Sequence, residues 1–235
     1  MTSAEMRAAF WQILQLDETD FIASGRISAS WVKELIMQGI WEMFRRIGPT
    51  TRLRRSATIS LVADTETYDL DEPFWKWDED PPTIAGVPVA FRRRAELDVM
   101  EDAGTLDGSQ VYLYEAGVDY TETGKMQIGV RPVPSSSATL RLYYLRQPFN
   151  FADLADGQAH PDLLPGYHLA PIWWACLLFA ATPIEGVTIS PELKQSWGAM
   201  FDTQVQAMQK DLAPEMQANQ PRCTPSVSLQ SWMDV

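Results

Sequence analysis

The apolar residues of this chain change their spacing twice, and those changes limit the folds available to it. Toward both ends they recur every third or fourth position, as along an amphipathic helix, whereas in the middle they alternate as in a strand. The ends carry four helical stripes, and an apolar stripe must be covered by another apolar surface. We therefore expect the helices of the two ends to pack on one another, with a β-rich part inserted between them.

The N-terminal part contains two predicted helices. Thr2 and Glu5 have the spacing of a capping box, which predicts a first helix to about Leu16, and a linker over residues 17–26 follows it. The second helix has a regular apolar stripe over residues 31–47. Its possible caps are Ser28 and Ser30, and Gly48 and Pro49 end it.

Strands are predicted from residue 56 onward, because Ile59 and Leu61 begin a period of two that continues to Tyr144. Turn residues, notably Gly124 after Thr123, separate the alternating runs at hairpin-like distances. This pattern favours an antiparallel meander.

Two further helices are predicted after this β-rich part. The first is strongly apolar, and its limits are marked by Pro165, Gly166 and Pro183. The second begins with a serine cap and a proline at the first position; its limits are marked by Ser190, Pro191 and Pro214. A segment rich in Pro, Gln and Ser follows.

The predicted fold class is therefore α+β: a four-helix bundle formed by N- and C-terminal helix pairs, an inserted antiparallel β domain and an extended C-terminal arm. The predicted parts are 1–55 (N-terminal helices), 56–147 (β-rich insertion), 148–212 (C-terminal helices) and 213–235 (arm).

Charge and apolar composition exclude several functions. The chain has 19 Lys and Arg against 31 Asp and Glu, a net charge of −12, which disfavours general binding to nucleic acid. The apolar run over residues 169–181 is shorter than a bilayer requires, so no membrane contact is expected. Cys176 and Cys223 do not look like a disulfide framework, and no export signal is visible in the first residues; we expect assembly in a reducing compartment.

Three segments resemble successive stretches of the head-to-tail adaptors of short-tailed phages. They are ATISLVADTETYDL, MQIGVRPVPSSSATLRLYYLRQPFNF and HPDLLPGYHLAPIWWACLLFAA, in which a Tyr-rich strand and a proline lead through an acidic loop to Leu-Pro and then Tyr-His. The resemblance extends over residues 3–212. It implies a dodecameric homo-oligomeric ring in the virion neck, between the portal protein and a tail or nozzle protein. DNA would pass through the ring during packaging and ejection without specific binding, and the ring would be assembled in the host cytoplasm.

Enzymatic and metal-dependent functions have little support. The chain lacks the nucleophile-elbow, phosphate-loop, dinucleotide and zinc-protease motifs. His160 and His168 flank Asp162, but their spacing matches neither a zinc nor a calcium site. We therefore predict a structural protein without a cofactor.

Carbohydrate recognition is the alternative function. Phe74, Trp75 and Trp77 lie close together in a predicted loop, and aromatic rings of this kind can stack on sugar rings. The competing interpretation is that these rings pack inside the protein. The alternative is a carbohydrate-binding tail or surface module.

Two clusters of arginine predict contacts between subunits. Eight acidic residues between Asp64 and Asp80 could complement them, because a head-to-tail ring brings two different surfaces of each subunit together. Separately solvated charges are the competing interpretation. The predicted intersubunit residues are Arg45, Arg46, Arg52, Arg54 and Arg55 in the first cluster and Arg92, Arg93 and Arg94 in the second.

The predicted arm, 213–235, has the composition of a segment that becomes ordered on a partner. After Pro225 its residues alternate in polarity, as in a strand added to the edge of another protein's sheet. The predicted portal contacts are Val227, Leu229, Trp232 and Met233.

Overall fold

A computed structural model of the chain confirms the α+β class. It describes residues 1–48, 50, 52–70, 73–78, 80–106, 110–119 and 125–218. The helices are α1 (Ser3–Leu14), α2 (Glu18–Ala23), α3 (Ala29–Ile47), α4 (Arg94–Asp102), α5 (Ala170–Ala181) and α6 (Pro191–Ala218), with a short 3-10 helix at Phe151–Asp153. The strands are β1 (Arg54–Leu61), β2 (Thr67–Asp69), β3 (Phe74–Trp77), β4 (Thr83–Ile84), β5 (Val87–Pro88), β6 (Ala90–Phe91), β7 (Tyr112–Asp119), β8 (Lys125–Arg131) and β9 (Ala138–Arg146).

The caps predicted for the N-terminal helices are present. In α1 the Glu5 amide donates to Thr2 Oγ1 at 3.3 Å and the Thr2 amide donates to the Glu5 carboxylate at 2.7 Å, which completes the capping box. Of the two candidate caps of α3, Ser28 is the one used, and its hydroxyl accepts from the Trp31 amide at 3.1 Å. Short-range chemistry therefore fixes both helix starts.

The predicted linker over residues 17–26 is wrong in part, because it contains the short helix α2. Asp17 caps this helix by accepting from the Thr19 amide at 2.7 Å. Phe21 is buried, and its ring lies 5.9 Å from that of Trp11. A single buried side chain gives no periodic signal, so sequence patterning missed the helix.

Helix α5 occupies the centre of the helical part. It contacts α1, α3 and α6, and α3 also contacts α6. Aromatic rings form these junctions: Phe179 lies 5.7 Å from Phe10 of α1, and Trp174 lies 5.0 Å from Phe201 of α6. The helices of the two ends thus pack around one core, as the sequence predicts; their arrangement as a regular four-helix bundle stays a prediction.

Helix α6 continues past Pro214, so the predicted helix end at that residue is wrong. The helix reaches Ala218, and the first residues of the predicted arm therefore belong to it. Proline removes one backbone hydrogen bond from a helix, and tertiary packing can outweigh that loss. Leu212 is buried two residues before Pro214 and holds this part of α6 on the core. Among the described helices, none combines the length and apolar character needed to cross a bilayer.

The strands form two sheets in place of the predicted meander. The first has the order β1-β9-β4-β5, with β3 also paired to β9, and the second has the order β2-β8-β7-β6. Consecutive strands β8 and β9 lie in different sheets, and β9 returns to pair with β1 along its whole length. All pairs are antiparallel except β6 with β7. The predicted turn at residues 123–124 lies outside the described residues.

The two sheets share one apolar core. Leu61 and Leu140 contribute from the first sheet, Leu113 and Ile128 from the second, and all four are buried. Helix α4, which the sequence did not predict, contacts β7 through the buried Leu97. Leu145, at the end of β9, belongs to the helical core, which joins the β-rich part to the helices.

Candidate interaction surfaces

Part of the first arginine cluster serves the fold of the chain itself. Arg45 and Arg46 both pair with Glu42 on α3, at 2.7 Å. Arg46 also pairs with Asp202 of α6 at 2.6 Å, and its guanidinium lies 5.0 Å from the centre of the Phe201 ring. Although burial opposes ionisation of Glu42, the hydrogen bonds from the two arginines lower its pKa. Arg46 thus ties α3 to α6.

The remaining arginines of this cluster differ in their surroundings. Arg54 forms ion pairs with Asp78 and Asp80, and Arg55 Nη1 donates to the backbone carbonyls of Arg52 and Arg54 at 3.1 and 2.9 Å. Arg52 is half-buried, whereas the Arg45 side chain is 74% exposed. Part of the acidic stretch that could complement a neighbouring subunit is therefore paired within the chain. Pairing between subunits stays a prediction.

The second cluster forms one wall of an open cleft between the two sheets. Arg92, Arg93 and Arg94 are exposed where β6 passes into α4. The rings of Trp77 and Phe91 lie beside them, with centroids 4.4 Å apart. We call this the arginine–tryptophan cleft; its lining residues are Trp77, Phe91, Arg92, Arg93, Arg94, Glu96 and Glu115.

Arg131, which sequence patterning did not single out, gathers three carboxylates. It pairs with Glu66 at 2.9 Å, with Asp98 at 2.6 Å and with Glu101 at 2.8 Å. The Tyr114 hydroxyl donates to Glu66 as well, and burial together with that carboxylate raises the pKa of Tyr114 to about 12. These pairs attach α4 to β8 and to the segment before β2.

Acidification is expected to weaken this cluster. The hydrogen bond from Tyr114 and the pairing with Arg131 hold the pKa of Glu66 below its ordinary value of 4.5. The unfolded chain therefore takes up this proton at a higher pH than the folded protein does. The resulting stability is present above pH 4.5 and is lost as the pH falls through the folded-state pKa. Thermal unfolding measured against pH should show this loss.

The matched variants are Glu66→Gln and Glu34→Gln, the second at an exposed site on α3. Glu66→Gln should flatten the decrease of the melting temperature below pH 4.5, whereas Glu34→Gln should leave it as in the unmodified protein. Equal slopes in the two variants would contradict the role assigned to Glu66.

A buried ion pair joins the end of β9 to the segment before α5. The guanidinium of Arg146 pairs with Asp162, and their side chains are only 9% and 3% exposed. Asp162 Oδ2 also accepts from the Phe149 amide at 2.8 Å. His160 Nε2 donates to the Phe149 carbonyl at 2.8 Å, its Nδ1 accepts from the Asp162 amide at 3.3 Å, and burial lowers its pKa. The imidazole is therefore neutral and fills a structural role.

Two of the polar residues considered as metal ligands, His160 and Asp162, are thus engaged in this network. Asp162 faces Arg146, and His168 is buried with a pKa that burial lowers. No group of three or more His, Cys, Asp or Glu side chains suited to a metal ion occurs among the described residues. Cys176 is buried in α5, and burial raises the pKa of its thiol.

The aromatic residues considered for carbohydrate binding pack against the protein. The ring centroids of Phe74 and Trp77 are 4.5 Å apart, and both rings border the core of the β-rich part. Trp75 points to the helices, where its ring meets Trp41 edge-on at 5.6 Å. An open cleft of about 530 Å³ is formed there by Gln38, Trp41, Glu42, Arg45, Trp75 and Trp174. Sequence patterning carries no signal for this meeting of Trp41, Trp75 and Trp174, which lie far apart along the chain.

The predicted portal contacts, Val227, Leu229, Trp232 and Met233, lie outside the described residues.

Two comparisons with known proteins bear on the class of this chain. The sequence model of the family described as SU10 adaptor protein matches residues 1–223. No curated protein shows significant sequence similarity to the chain.

The chain belongs to the SU10 adaptor protein family. It is thus a structural component of the phage virion, a head–tail adaptor of the neck region. The resemblance seen in the sequence is confirmed at this level.

Proposed function

We propose that the protein forms a closed ring in the virion neck that joins the portal to the tail and surrounds the path of the DNA. The family match over residues 1–223 is the observation that carries this proposal. The resemblance to head-to-tail adaptors suggests twelve copies. A ring of this kind needs two different complementary surfaces on each subunit.

The first arginine cluster is the proposed source of charge at the contact between subunits. Arg46 and Arg54 are tied to acids of other elements, Asp202 and Asp78. Arg45 pairs only with Glu42 of its own helix among the described ion pairs and its side chain is 74% exposed, and Arg52 is half-buried, so these two are better placed to reach a neighbour. Arg45→Glu with Arg52→Glu should block ring formation and leave the monomer folded, because opposite charges at an interface would become like charges. Native mass spectrometry at low and high salt would measure both effects.

The matched control reverses two lysines outside the cluster, Lys33→Glu near the start of α3 with Lys210→Glu on α6, which changes the net charge by the same amount. Ring formation should survive in the control and should weaken with salt in the unmodified protein. Full assembly of the arginine variant would remove this cluster from the contact.

The segment after α6 is the proposed portal-binding arm, with Val227, Leu229, Trp232 and Met233 as its contacts. The structure places the last described helical residue at Ala218, so a deletion of residues 219–235 leaves α6 complete. This deletion should leave the melting temperature almost unchanged and abolish binding to the portal protein, because a segment of this composition becomes ordered on a partner.

Negative-stain imaging of the protein mixed with the portal protein of the same phage tests the whole proposal. Rings attached to the portal are expected with the full chain, and free portals with the deletion variant. A truncated protein that still binds the portal with full affinity would contradict the role of the arm. Absence of any complex with the full chain would contradict the proposed function itself.

The path of the DNA is expected to be neutral or acidic. A net charge of −12 supports this, because a wall that made many phosphate contacts would hold the duplex in place.

A further inference from the structure

The arginine–tryptophan cleft concentrates positive charge in an acidic protein. Arg92 and Arg93 are both exposed, and neither has a carboxylate within ion-pair distance in the part of the chain that the structure describes. Arg94 lies 5.8 Å from the centre of the Tyr114 ring. Three consecutive guanidinium groups repel one another, and a bound anion would relieve that repulsion.

The cleft has a fixed aromatic floor. The rings of Trp77 and Phe91 are tilted by 35° at 4.4 Å, and Trp77 Nε1 donates to Glu115 at 2.6 Å, which holds the indole in place. The backbone amide of Arg92 donates to the Leu113 carbonyl at 2.8 Å and anchors the arginine segment on β7. The cleft encloses about 740 Å³. This volume falls in the range of roughly 300–1,000 Å³ that is typical of ligand sites.

We infer that this cleft binds an acidic peptide segment of another protein. The carboxylates of the segment pair with Arg92 and Arg93, whose planar guanidinium groups can hold a carboxylate through two parallel hydrogen bonds. An aromatic or large apolar side chain of the segment rests on the floor formed by Trp77 and Phe91.

Nucleic acid fits the cleft less well. Three neighbouring arginines supply few phosphate contacts, and binding to DNA at physiological salt depends on many of them. Glu96 and Glu115 lie in the same cleft and repel a polyphosphate, whereas a peptide can place its few carboxylates away from them.

A second copy of the chain also fits less well. Within residues 64–80, the acidic stretch predicted to complement the arginines of a neighbouring subunit, Glu66 is paired with Arg131, and Asp78 and Asp80 are paired with Arg54. A different protein with unpaired carboxylates is the better occupant. The inference rests on the proposed function in one respect: the partner that carries the acidic segment is expected among the components of the neck.

The inference can be tested on the isolated full-length chain with a defined peptide. The probe is a fluorescein-labelled peptide of sequence EDWED, and its uncharged counterpart QNWQN is the matched control. Fluorescence anisotropy should show binding of EDWED that weakens with salt and little binding of QNWQN. Arg92→Glu with Arg93→Glu should reduce the affinity for EDWED on the order of tenfold or more.

Three further variants separate charge from geometry. Lys33→Glu with Lys210→Glu changes the net charge equally, and binding should be retained. Arg92→Lys with Arg93→Lys keeps the charge but loses the two-pronged hydrogen bonds, so an intermediate affinity is expected. Glu115→Gln removes an acid from the cleft while its amide oxygen can still accept from Trp77, and the affinity for EDWED should rise about threefold.

Several results would overturn the inference. The first is equal binding of EDWED by the unmodified protein and by the Arg92→Glu, Arg93→Glu variant. The second is displacement of EDWED by a short oligonucleotide of equal charge. The third is loss of self-association in the Arg92→Glu, Arg93→Glu variant. The third result would make the cleft a contact between copies. Because the peptide assay needs neither ring nor portal, its failure leaves the proposed function standing, and failure of portal binding leaves the peptide result standing.

Discussion

Replacing Gly39 with alanine is expected to lower the free energy of unfolding by about 2–3 kcal/mol, because the added carbon has no room. Gly39 lies on α3 where this helix crosses the start of α5. A β-carbon built there would lie 2.2 Å from the carbonyl oxygen of Pro171 and 2.9 Å from its Cα. These are backbone atoms, so the clash can be relieved only if the two helices move apart. Urea unfolding would measure the loss.

Gly198 on α6 provides the matched control. A β-carbon at this position would meet only Leu177 Cδ1, at 3.9 Å, which is an ordinary contact. Gly198→Ala should therefore raise the free energy of unfolding by up to about 1 kcal/mol, the difference in helix propensity. If Gly39→Ala proved as stable as Gly198→Ala, the close approach of α3 and α5 at Pro171 would be wrong.

Removing the charge of Asp162 is expected to cost about 3–5 kcal/mol of stability, because the pair with Asp162 would no longer offset the burial of the Arg146 guanidinium. The variant Asp162→Asn keeps the size of the side chain and isolates the effect of charge. Arg146 Nη1 lies 3.2 Å from Asp162 Oδ2, and the carboxylate also accepts from the Phe149 amide. Chemical unfolding followed by circular dichroism would measure the loss.

The double variant Arg146→Met with Asp162→Leu distinguishes a missing partner from a missing interaction. Apolar side chains in place of a buried ion pair are often tolerated, so the double variant should be more stable than Asp162→Asn. If the double variant loses as much stability as the single variants Arg146→Met and Asp162→Leu lose together, Arg146 and Asp162 act independently.

The helices were largely predictable because their determinants are local. A capping box at Thr2 and Glu5, a serine cap at Ser28 and a proline at the first position of α6 act over three or four residues. The errors occurred where tertiary contacts outweigh local preference. Helix α6 continues through Pro214, and α2 forms around one buried side chain, Phe21.

The strands were predictable as strands but not in their pairing. Alternation shows which residues face a core, and it carries no information about which strand lies alongside. Strand β9 therefore pairs with β1, far away in the sequence, although its nearest neighbour along the chain is β8. Helix α4 was missed because its single fully buried residue, Leu97, leaves no periodic pattern.

The candidate sites show the same division. The sequence by itself determined that arginines are clustered, that the chain is acidic and that it resembles phage adaptors. Only the tertiary structure decided that Arg54 is paired with Asp78 while Arg92 and Arg93 are exposed beside Trp77. The physical reason is that an ion pair depends on distance in space, and the strands and helices that set this distance are brought together by pairing and packing that local sequence does not encode.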